Sequence, residues 1–208
     1  MAHDDLATII LVGGRSARMG RPKPWLDLDG QPLLARVVEQ VRTWSAEIVL
    51  VAAPGQALPA LAVDVAPLVV HDDHPGAGPL PALAGGLEAV HASWALLLGC
   101  DAPLVYPSIV AHLVAARRAD VDAVVPIWDD RPQPLVALYR RALAPRIRAL
   151  VAAGERRLHV LAAEPHVVRV PADAVRTLDP AGDSFRAVNT PEEFAAASAV
   201  WRARHGGR

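Results

Sequence analysis

The sequence predicts an α/β protein of three layers, in which helices cover both faces of a mostly parallel sheet. Short β-branched and other apolar runs alternate with alanine- and leucine-rich stretches of helical length, as in parallel sheets that are buried on both sides. A chain of 208 residues can bury a sizeable core, and it shows no internal repeat or linker. We therefore expect a single domain over residues 1–208.

The order of these runs gives the predicted elements. Strands are predicted over Ala7–Val12, Glu47–Ala52, Leu68–Val70, Trp94–Gly99 and Ala123–Pro126, with a later antiparallel or crossing strand over Pro134–Tyr139. Helices are predicted over Pro32–Trp44, Leu80–Ala92, Pro107–Arg118, Arg141–Ala153 and Pro191–Arg202. Asp27–Gly30 is typical of a turn, and residues 54–67 are typical of a loop.

Charge and composition argue against several classes of function. The formal net charge is −1 and the basic residues are scattered, so we expect no binding to nucleic acid or to a membrane surface. Cys100 is the only cysteine, which excludes an internal disulfide and suits a reducing compartment. The acidic N-terminus does not resemble a signal peptide, and no apolar run approaches the roughly 20 residues that cross a bilayer. We expect a cytoplasmic protein.

Lys23 is the only lysine of the chain, and it closes a glycine-rich segment that follows the first predicted strand. Glycines let backbone N–H groups approach phosphate oxygens, and a compact ammonium can rest against a single phosphate. The segment does not have the Walker A pattern, because Lys23 lies between two prolines. It also differs from the dinucleotide fingerprint, because its glycines are adjacent and do not open directly into a helix. We interpret it as a triphosphate-binding loop of another kind.

This segment resembles the signature of the pyrophosphorylase-like nucleotidyltransferases, which carry Gly-Gly-x-Ser-x-Arg-Met-Gly followed closely by a lysine. Over nearly its full length the chain is similar to the molybdenum cofactor guanylyltransferases (the MobA type). The resemblance implies a Rossmann-like nucleotidyltransferase fold. It also implies that the loop and the end of the strand bind the nucleotide, with Arg15 and Arg18 on the outer phosphate oxygens and Lys23 beside the α-phosphate. The nucleotide-binding residues of this segment would be Leu11, Val12, Gly13, Gly14, Arg15 and Lys23.

Asp101 follows the apolar strand Trp94–Gly99 within the segment Cys100-Asp101-Ala102-Pro103. An aspartate at the carboxyl end of this strand faces the same edge of the sheet as the glycine-rich segment, and Mg²⁺ prefers carboxylate and phosphate oxygens. The resembling enzymes carry Cys-Asp-x-Pro here, which implies that Asp101 holds the metal and contacts the nucleotide. The alternative is an aspartate that only opens a turn. Cys100 is expected to be a buried apolar residue, because no base accompanies it.

Two further positions match the family around the nucleotide. Asp72 follows the third strand, and Gly78 begins a Gly-Pro-Leu segment that lies near the base in the resembling enzymes. The chain departs from the family pattern at this junction, since an extra Pro-Ala-Leu separates Gly-Pro-Leu from the next Ala-Gly. The polar residue that the family places at the end of the second strand falls near Val51, so that contact is missing or replaced by backbone.

Asn189 has two explanations. Thr190, Pro191 and Glu193 form the pattern of a helix start with a capping box, and Asn189 lies just outside it. The resemblance implies that the Asn-Thr-Pro-Glu-Glu segment lies near the metal and the phosphates, which makes Asn189 a candidate site residue. The alternative is pure capping geometry.

Two more segments bear on the acceptor. The segment Gly-Glu-Arg-Arg matches a stretch of the guanylyltransferases, and its Arg156 and Arg157 could bind anionic groups of the acceptor. The alternative is that both arginines lie at a solvent-exposed start of a helix. Gln133 stands where the family usually has histidine, which puts an acceptor role for it in doubt.

The resemblance implies a Mg²⁺-dependent transfer of GMP from GTP to molybdopterin, with molybdenum-insertion and molybdoenzyme chaperone proteins as further partners. Pro22 departs from the guanylyl pattern, because Pro-Lys is common in the related cytidylyltransferases. The alternatives are therefore a CTP-dependent molybdopterin cytidylyltransferase, an enzyme acting on another small phosphate, or a non-catalytic nucleotide- or cofactor-binding protein.

Overall fold

The computed structural model describes residues 3–13, 19–61 and 66–206. The strands in these ranges are β1 (His3–Leu11), β2 (Asp27–Leu28), β3 (Gln31–Pro32), β4 (Ser45–Ala52), β5 (Leu68–His71), β6 (Trp94–Gly99), β7 (Ala123–Trp128), β8 (Arg131–Pro132), β9 (Ala137–Arg140) and β10 (Val167–Val170). The α-helices are α1 (Leu33–Val41), α2 (Pro79–Ala89), α3 (Pro107–Ala115), α4 (Ala144–Ala152), α5 (Ala172–Leu178) and α6 (Pro191–His205).

The main sheet has the strand order β10-β7-β9-β6-β1-β4-β5, and β8 pairs with β7. The pairs around β1 and β4 are parallel, as is the pair of β10 with β7. Strand β9 runs antiparallel to both of its neighbours, β6 and β7. The prediction of a mostly parallel sheet with a later antiparallel strand is confirmed, and β2 and β3 form a separate short hairpin around the predicted turn.

Helices cover both faces of this sheet, which confirms the three layers. In β1, Leu6 and Ile10 point into a core shared with α1, α3 and α5, whereas Ala7 and Ile9 point into a core shared with α2 and α4. Helix α2 approaches β1 so closely that a Cβ on Gly86 would lie 2.6 Å from the Ile9 side chain. None of the helices within the described ranges combines the length and the apolarity that a bilayer-spanning segment requires.

A third, smaller core attaches helix α6 to the segment that carries Lys23. Leu26 and Leu28 from that segment pack with Val188 and Trp201. Lys23 itself begins a single 3₁₀ turn, Lys23–Trp25, in which Pro24 is buried. The packing therefore brings the start of α6 next to Lys23, although 166 residues separate Lys23 from Asn189 along the chain.

Two regions differ from the prediction. The helix predicted over Arg141–Ala153 is divided into a 3₁₀ turn, Arg141–Leu143, and α4, because Pro145 suits the first turn of an α-helix and not its interior. Strand β10 and helix α5 were not predicted. Strand β10 is only four residues long and lies at the edge of the sheet, where its apolar pattern is too short to be distinctive.

Candidate active site

A cavity of about 580 Å³ opens at the carboxyl ends of β1, β4, β5 and β6, where ligands bind in open parallel sheets. Its volume lies within the range of about 300–1,000 Å³ that is typical of small-molecule sites. Most of the predicted site residues that the structure describes line it, namely Leu11, Val12, Gly13, Lys23, Asp72, Gly78 and Asp101. Gly14, Arg15 and Arg18 lie outside the described residues.

Lys23 and Asp101 meet directly at this cavity. The Lys23 ammonium donates to Asp101 Oδ2 at 2.7 Å and to Asn189 Oδ1 at 2.8 Å. The side chains of Lys23 and Asp101 are 16% and 22% exposed, so both are partly shielded and still reach the cavity. Asn189 lies at the same point because its side chain bonds to Lys23. Three polar groups from distant parts of the chain thus meet: Lys23 and Asp101 line the cavity, and Asn189 joins them through its bond to Lys23 without lining it.

Local structure explains where Lys23 and Asp101 stand. The backbone carbonyl of Pro22 accepts the Trp25 N–H at 3.1 Å, which closes the turn around Lys23. Asp101 comes two residues after the end of β6. The Cys100 N–H just before it donates to the Leu11 carbonyl at 3.0 Å, which ties the end of β6 to the end of β1.

Asn189 takes part in capping geometry and in the site at once. The capping box of α6 is formed by Thr190 and Glu193, and the Glu193 carboxylate also accepts the Asn189 N–H at 2.6 Å. The neighbouring Val188 N–H donates to the Asp101 carbonyl at 2.8 Å. The two explanations given by the sequence are therefore compatible, because the Asn189 backbone serves the helix start and its side chain faces Lys23.

The start of the glycine-rich loop is held by the backbone of β4. The N–H groups of Val12 and Gly13 both donate to the Val51 carbonyl, at 2.9 and 3.3 Å. In this structure both N–H groups are therefore engaged within the protein. The Val51 backbone thus supplies a structural contact at the position where the family has a polar side chain.

Gln56 reinforces this junction and was not identified from the sequence. Its amide donates to the Val12 carbonyl at 3.2 Å and accepts the Ala53 N–H at 3.0 Å. A polar residue just after the Pro-Gly turn that follows β4 is the only sequence signal for it. Leu135, which also lines the cavity and is 39% exposed, carries no chemical signal that sequence reasoning could use.

Asp72 and Gly78 flank the opposite side of the cavity. The Asp72 carboxylate accepts the His74 N–H at 2.9 Å, which stabilises the turn after β5. Gly78 has a φ of 113°, and a Cβ there would lie 2.7 Å from the Arg156 carbonyl oxygen. Only glycine suits this position, because both the backbone conformation and the close approach exclude a side chain. The additional residues after Gly-Pro-Leu are accommodated within α2, which runs unbroken from Pro79 to Ala89.

The candidate acceptor residues are bound within their own segments. The Arg156 guanidinium donates to the carbonyls of Val151 and Glu155, at 2.6 and 2.7 Å, at the end of α4. Arg157 pairs with Glu155 at 3.0 Å, and this hydrogen bond, with those from the backbone, lowers the pKa of Glu155 to about 2. The Gln133 amide donates to two carbonyls of the β7–β8 hairpin, each at 3.3 Å. These contacts give all three side chains structural roles.

Cys100 is buried, as predicted. Burial and the neighbouring Asp101 carboxylate raise the pKa of its thiol to about 12. A neutral thiol in this position packs as a small apolar side chain and is a poor nucleophile.

A Rossmann-like sheet with a lysine and an aspartate converging at its carboxyl edge defines a nucleotide-handling class of α/β protein. The profile of the MobA-like NTP transferase domain matches residues 8–178, more than half of the chain. The chain belongs to the MobA-like NTP transferase family and is a nucleotidyltransferase of the MobA type.

Individual relatives agree with this assignment. A probable molybdenum cofactor guanylyltransferase of Mycobacterium tuberculosis is 39% identical over 171 residues, covering 79% of this chain and 83% of the relative. A protein of the same description from Chloroflexus aggregans is 33% identical over 198 residues, with coverage of 92% and 93%. The crystal structure of molybdopterin-guanine dinucleotide biosynthesis protein A from Archaeoglobus fulgidus superposes with a TM-score of 0.79 at 26% identity, covering 95% of this chain and 99% of that one.

Proposed function

We propose that the protein transfers GMP from GTP to the terminal phosphate of molybdopterin and releases pyrophosphate. The observation that carries the proposal is the contact of Lys23 with Asp101 at the wall of the cavity, with Asn189 as a further acceptor of the ammonium. The descriptions of the relatives, which name a molybdenum cofactor guanylyltransferase, support the choice of donor and acceptor. Molybdenum-insertion and chaperone proteins would be the partners that supply and receive the cofactor.

In this reaction an oxygen of the acceptor phosphate attacks the α-phosphorus of the donor in line. The bond from the α-phosphorus to the oxygen that bridges it to the β-phosphorus breaks, and pyrophosphate leaves with that oxygen. A phosphate monoester is already anionic at neutral pH, so the enzyme needs no general base to generate the nucleophile and no covalent intermediate. Catalysis comes from positioning and from neutralising charge.

Lys23 would stand beside the α-phosphate, where negative charge builds up in the transition state. Among the described residues, Asp101 and Asn189 accept hydrogen bonds from the ammonium and hold it at the wall of the cavity. Arg15 and Arg18 would neutralise the outer phosphate oxygens. A lysine suits the inner position because its charge is compact and contacts one oxygen at a time.

The donor set at Asp101 fits a magnesium ion that is bound largely by phosphates. Mg²⁺ typically takes one or two carboxylates, with water and substrate phosphates completing its shell. The described residues contain no cluster of three or more histidine, cysteine, aspartate or glutamate side chains, so a cage made of protein ligands alone is not available there. Asp101 would hold the ion, whereas the Asn189 amide oxygen accepts the Lys23 ammonium. The bound ion would supply charge neutralisation between the phosphate groups.

Pro22 supports a second candidate, a CTP-dependent cytidylyltransferase. The Pro-Lys pair is the cytidylyl feature of the loop, whereas the Gly-Pro-Leu and Gly-Glu-Arg-Arg segments favour guanylyl transfer. Pro22 precedes the turn with a φ of −62°, the value that its ring fixes, so the proline also suits the local backbone whichever base is bound.

Pyrophosphate release tests these proposals directly. We would incubate the protein with molybdopterin, Mg²⁺ and GTP, CTP or ATP in turn, and identify the dinucleotide product by mass spectrometry. GTP-dependent release supports the proposal, and release with CTP alone replaces it with the cytidylyl reaction. Tight nucleotide binding without release would indicate a non-catalytic binding protein.

A further inference from the structure

We infer that Glu193 is a positioning residue for Lys23 and acts through Asn189. The inference rests on the proposed function, in which the Lys23 ammonium faces the α-phosphate. It assigns the capping box of α6 a second task besides starting the helix.

The first step concerns the Glu193 carboxylate, which accepts two backbone hydrogen bonds of different length. Its Oε2 accepts the Asn189 N–H at 2.6 Å and the Thr190 N–H at 3.1 Å. In a capping box the carboxylate needs only the N–H of the N-cap residue, which here is Thr190. The shorter bond therefore goes to the residue before the cap.

The second step leads from Asn189 to the cavity. Its Oδ1 accepts the Lys23 ammonium at 2.8 Å, and the preceding Val188 N–H donates to the Asp101 carbonyl at 2.8 Å. Asn189 is thus held between Asp101 and the first turn of α6. A backbone fixed on both sides gives its side chain a defined direction toward Lys23.

The third step concerns the lysine itself. A lysine side chain has four rotatable methylene links, so its ammonium takes a direction only from the acceptors around it. If Glu193 no longer holds the Asn189 backbone, the amide oxygen loses its alignment and the ammonium moves relative to the α-phosphate. A misplacement of about 1 Å can cost up to a hundredfold in rate.

The chain offers two matched controls. Glu192 carries the same charge in the same helical turn, and hydrogen bonding from its own backbone and from the Thr190 hydroxyl lowers its pKa. Thr190 supplies the other half of the capping box, since its Oγ1 accepts the Glu193 N–H at 3.2 Å. Thr190→Ala therefore weakens the helix start and leaves the bond between Glu193 and the Asn189 backbone in place.

The experiment uses the fact that Lys23 is the only lysine. Growth on ¹³C-labelled lysine gives a protein with one labelled side chain, whose ε-carbon resonance reports the surroundings of the ammonium without any need for turnover. The full-length protein and the variants Glu193→Ala, Glu193→Gln, Glu192→Ala and Thr190→Ala are compared by this resonance, by kcat and KM for the donor, and by melting temperature.

We expect Glu193→Ala to move the Lys23 resonance and to lower kcat about tenfold, with KM for the donor changed by no more than about twofold. Glu193→Gln keeps an acceptor oxygen and should restore both readouts. Glu192→Ala should leave both unchanged, and Thr190→Ala should lower the melting temperature by about 3 °C without moving the resonance.

Two results overturn the inference. One is a Glu193→Ala protein that melts earlier but keeps the wild-type resonance and kcat, since Glu193 then only caps α6. The other is an equal loss of kcat in Thr190→Ala. If the wild-type protein releases no pyrophosphate while Glu193→Ala still moves the resonance, the proposed function fails and the positioning of Lys23 by Glu193 stands.

Discussion

Two ion pairs of nearly equal length lie in different parts of the molecule. Lys23 and Asp101 are 2.7 Å apart at the cavity, and Arg204 of α6 and Asp183 are 2.6 Å apart where α6 packs beside the loop before α3. Both pairs connect residues that are distant in sequence. By length alone they cannot be distinguished, so their surroundings must show which of them serves the reaction.

The surroundings of Arg204 are those of a structural residue. Its guanidinium also donates to the Leu104 carbonyl at 2.9 Å and lies 3.8 Å from the centre of the Tyr106 ring. Asp183 is only 8% exposed. An arginine can make several such contacts at once because its fork is planar and rigid, and here they join protein to protein.

The surroundings of Lys23 are those of a binding residue. Its partners Asp101 and Asn189 are single-point acceptors, and the pair forms part of the wall of a 580 Å³ cavity. The chain uses arginine for every other fixed positive side chain. The comparison teaches that the choice of lysine or arginine, together with an adjoining cavity, separates a functional ion pair from a structural one of the same length.

Replacing Asp101 with asparagine should give the largest effect and would test the functional half of the comparison. We expect turnover to fall about a thousandfold, since the carboxylate that is proposed to hold the metal is lost; this corresponds to about 4 kcal/mol in the barrier. The free energy of unfolding should change by no more than about 1 kcal/mol, because asparagine has the shape of aspartate and keeps an oxygen that can accept the Lys23 ammonium. Pyrophosphate release and urea unfolding measure the two quantities. A large loss of stability at unchanged turnover would reverse the assignment.

Asp183→Ala tests the structural role of the ion pair between Arg204 and Asp183. It leaves the partly buried Arg204 without its carboxylate, so we expect the free energy of unfolding to fall by about 3 kcal/mol. At 25 °C, where the variant remains folded, turnover should equal that of the wild-type protein. Thermal unfolding and pyrophosphate release check both expectations. Turnover that drops as strongly as in Asp101→Asn would show that the two ion pairs are not separate in function.

Substitutions of Lys23 and Arg204 test whether each position requires its own type of cation. Lys23→Ala should lower turnover about a hundredfold while the fold is retained, because charge at the α-phosphate is lost. Lys23→Arg should recover little of it, since the planar guanidinium does not fit two single-point acceptors. Arg204→Lys serves as the reciprocal control and should lower the melting temperature without affecting turnover. Full activity in Lys23→Arg would mean that any cation suffices.

Much of the fold could be predicted from the sequence because the strands at the centre of the sheet are strongly apolar. Trp94–Gly99 is buried along its whole length, and its predicted bounds are those observed. The edge elements were missed for a physical reason. Strand β10 exposes Arg169 and is partly exposed at Val167 and Val168, so it does not show the continuous apolar run of a central strand.

The sequence indicates that Lys23 and Asp101 lie at the same edge of the sheet, because Asp101 follows β6 and Lys23 closes the loop that follows β1. The contacts that hold these residues could not be predicted. The double use of the Val51 carbonyl and the amide of Gln56 depend on how β1 and β4 end side by side. Likewise, the sequence indicates the capping box at Thr190 and Glu193, but only the packing of α6 turns the Asn189 side chain toward Lys23.

Cys100→Ala should have the smallest effect on turnover. It tests whether a residue directly beside Asp101 also contributes to the reaction. Turnover should remain within about twofold of the wild-type value, because the buried thiol packs as a neutral apolar group. The loss of packing should cost about 1 kcal/mol at pH 8.

The pKa of the thiol is raised from 9.0 to about 12 by burial and by Asp101. Its contribution to stability is therefore fully present below pH 9 and is lost as the pH rises from 9 to 12. Urea unfolding at pH 8 and pH 10 should therefore show the difference between wild type and variant shrinking at the higher pH. A difference that grows with pH would contradict this expectation. Rapid alkylation of the native thiol at pH 8 would also contradict it, because it would show a reactive thiolate beside Asp101.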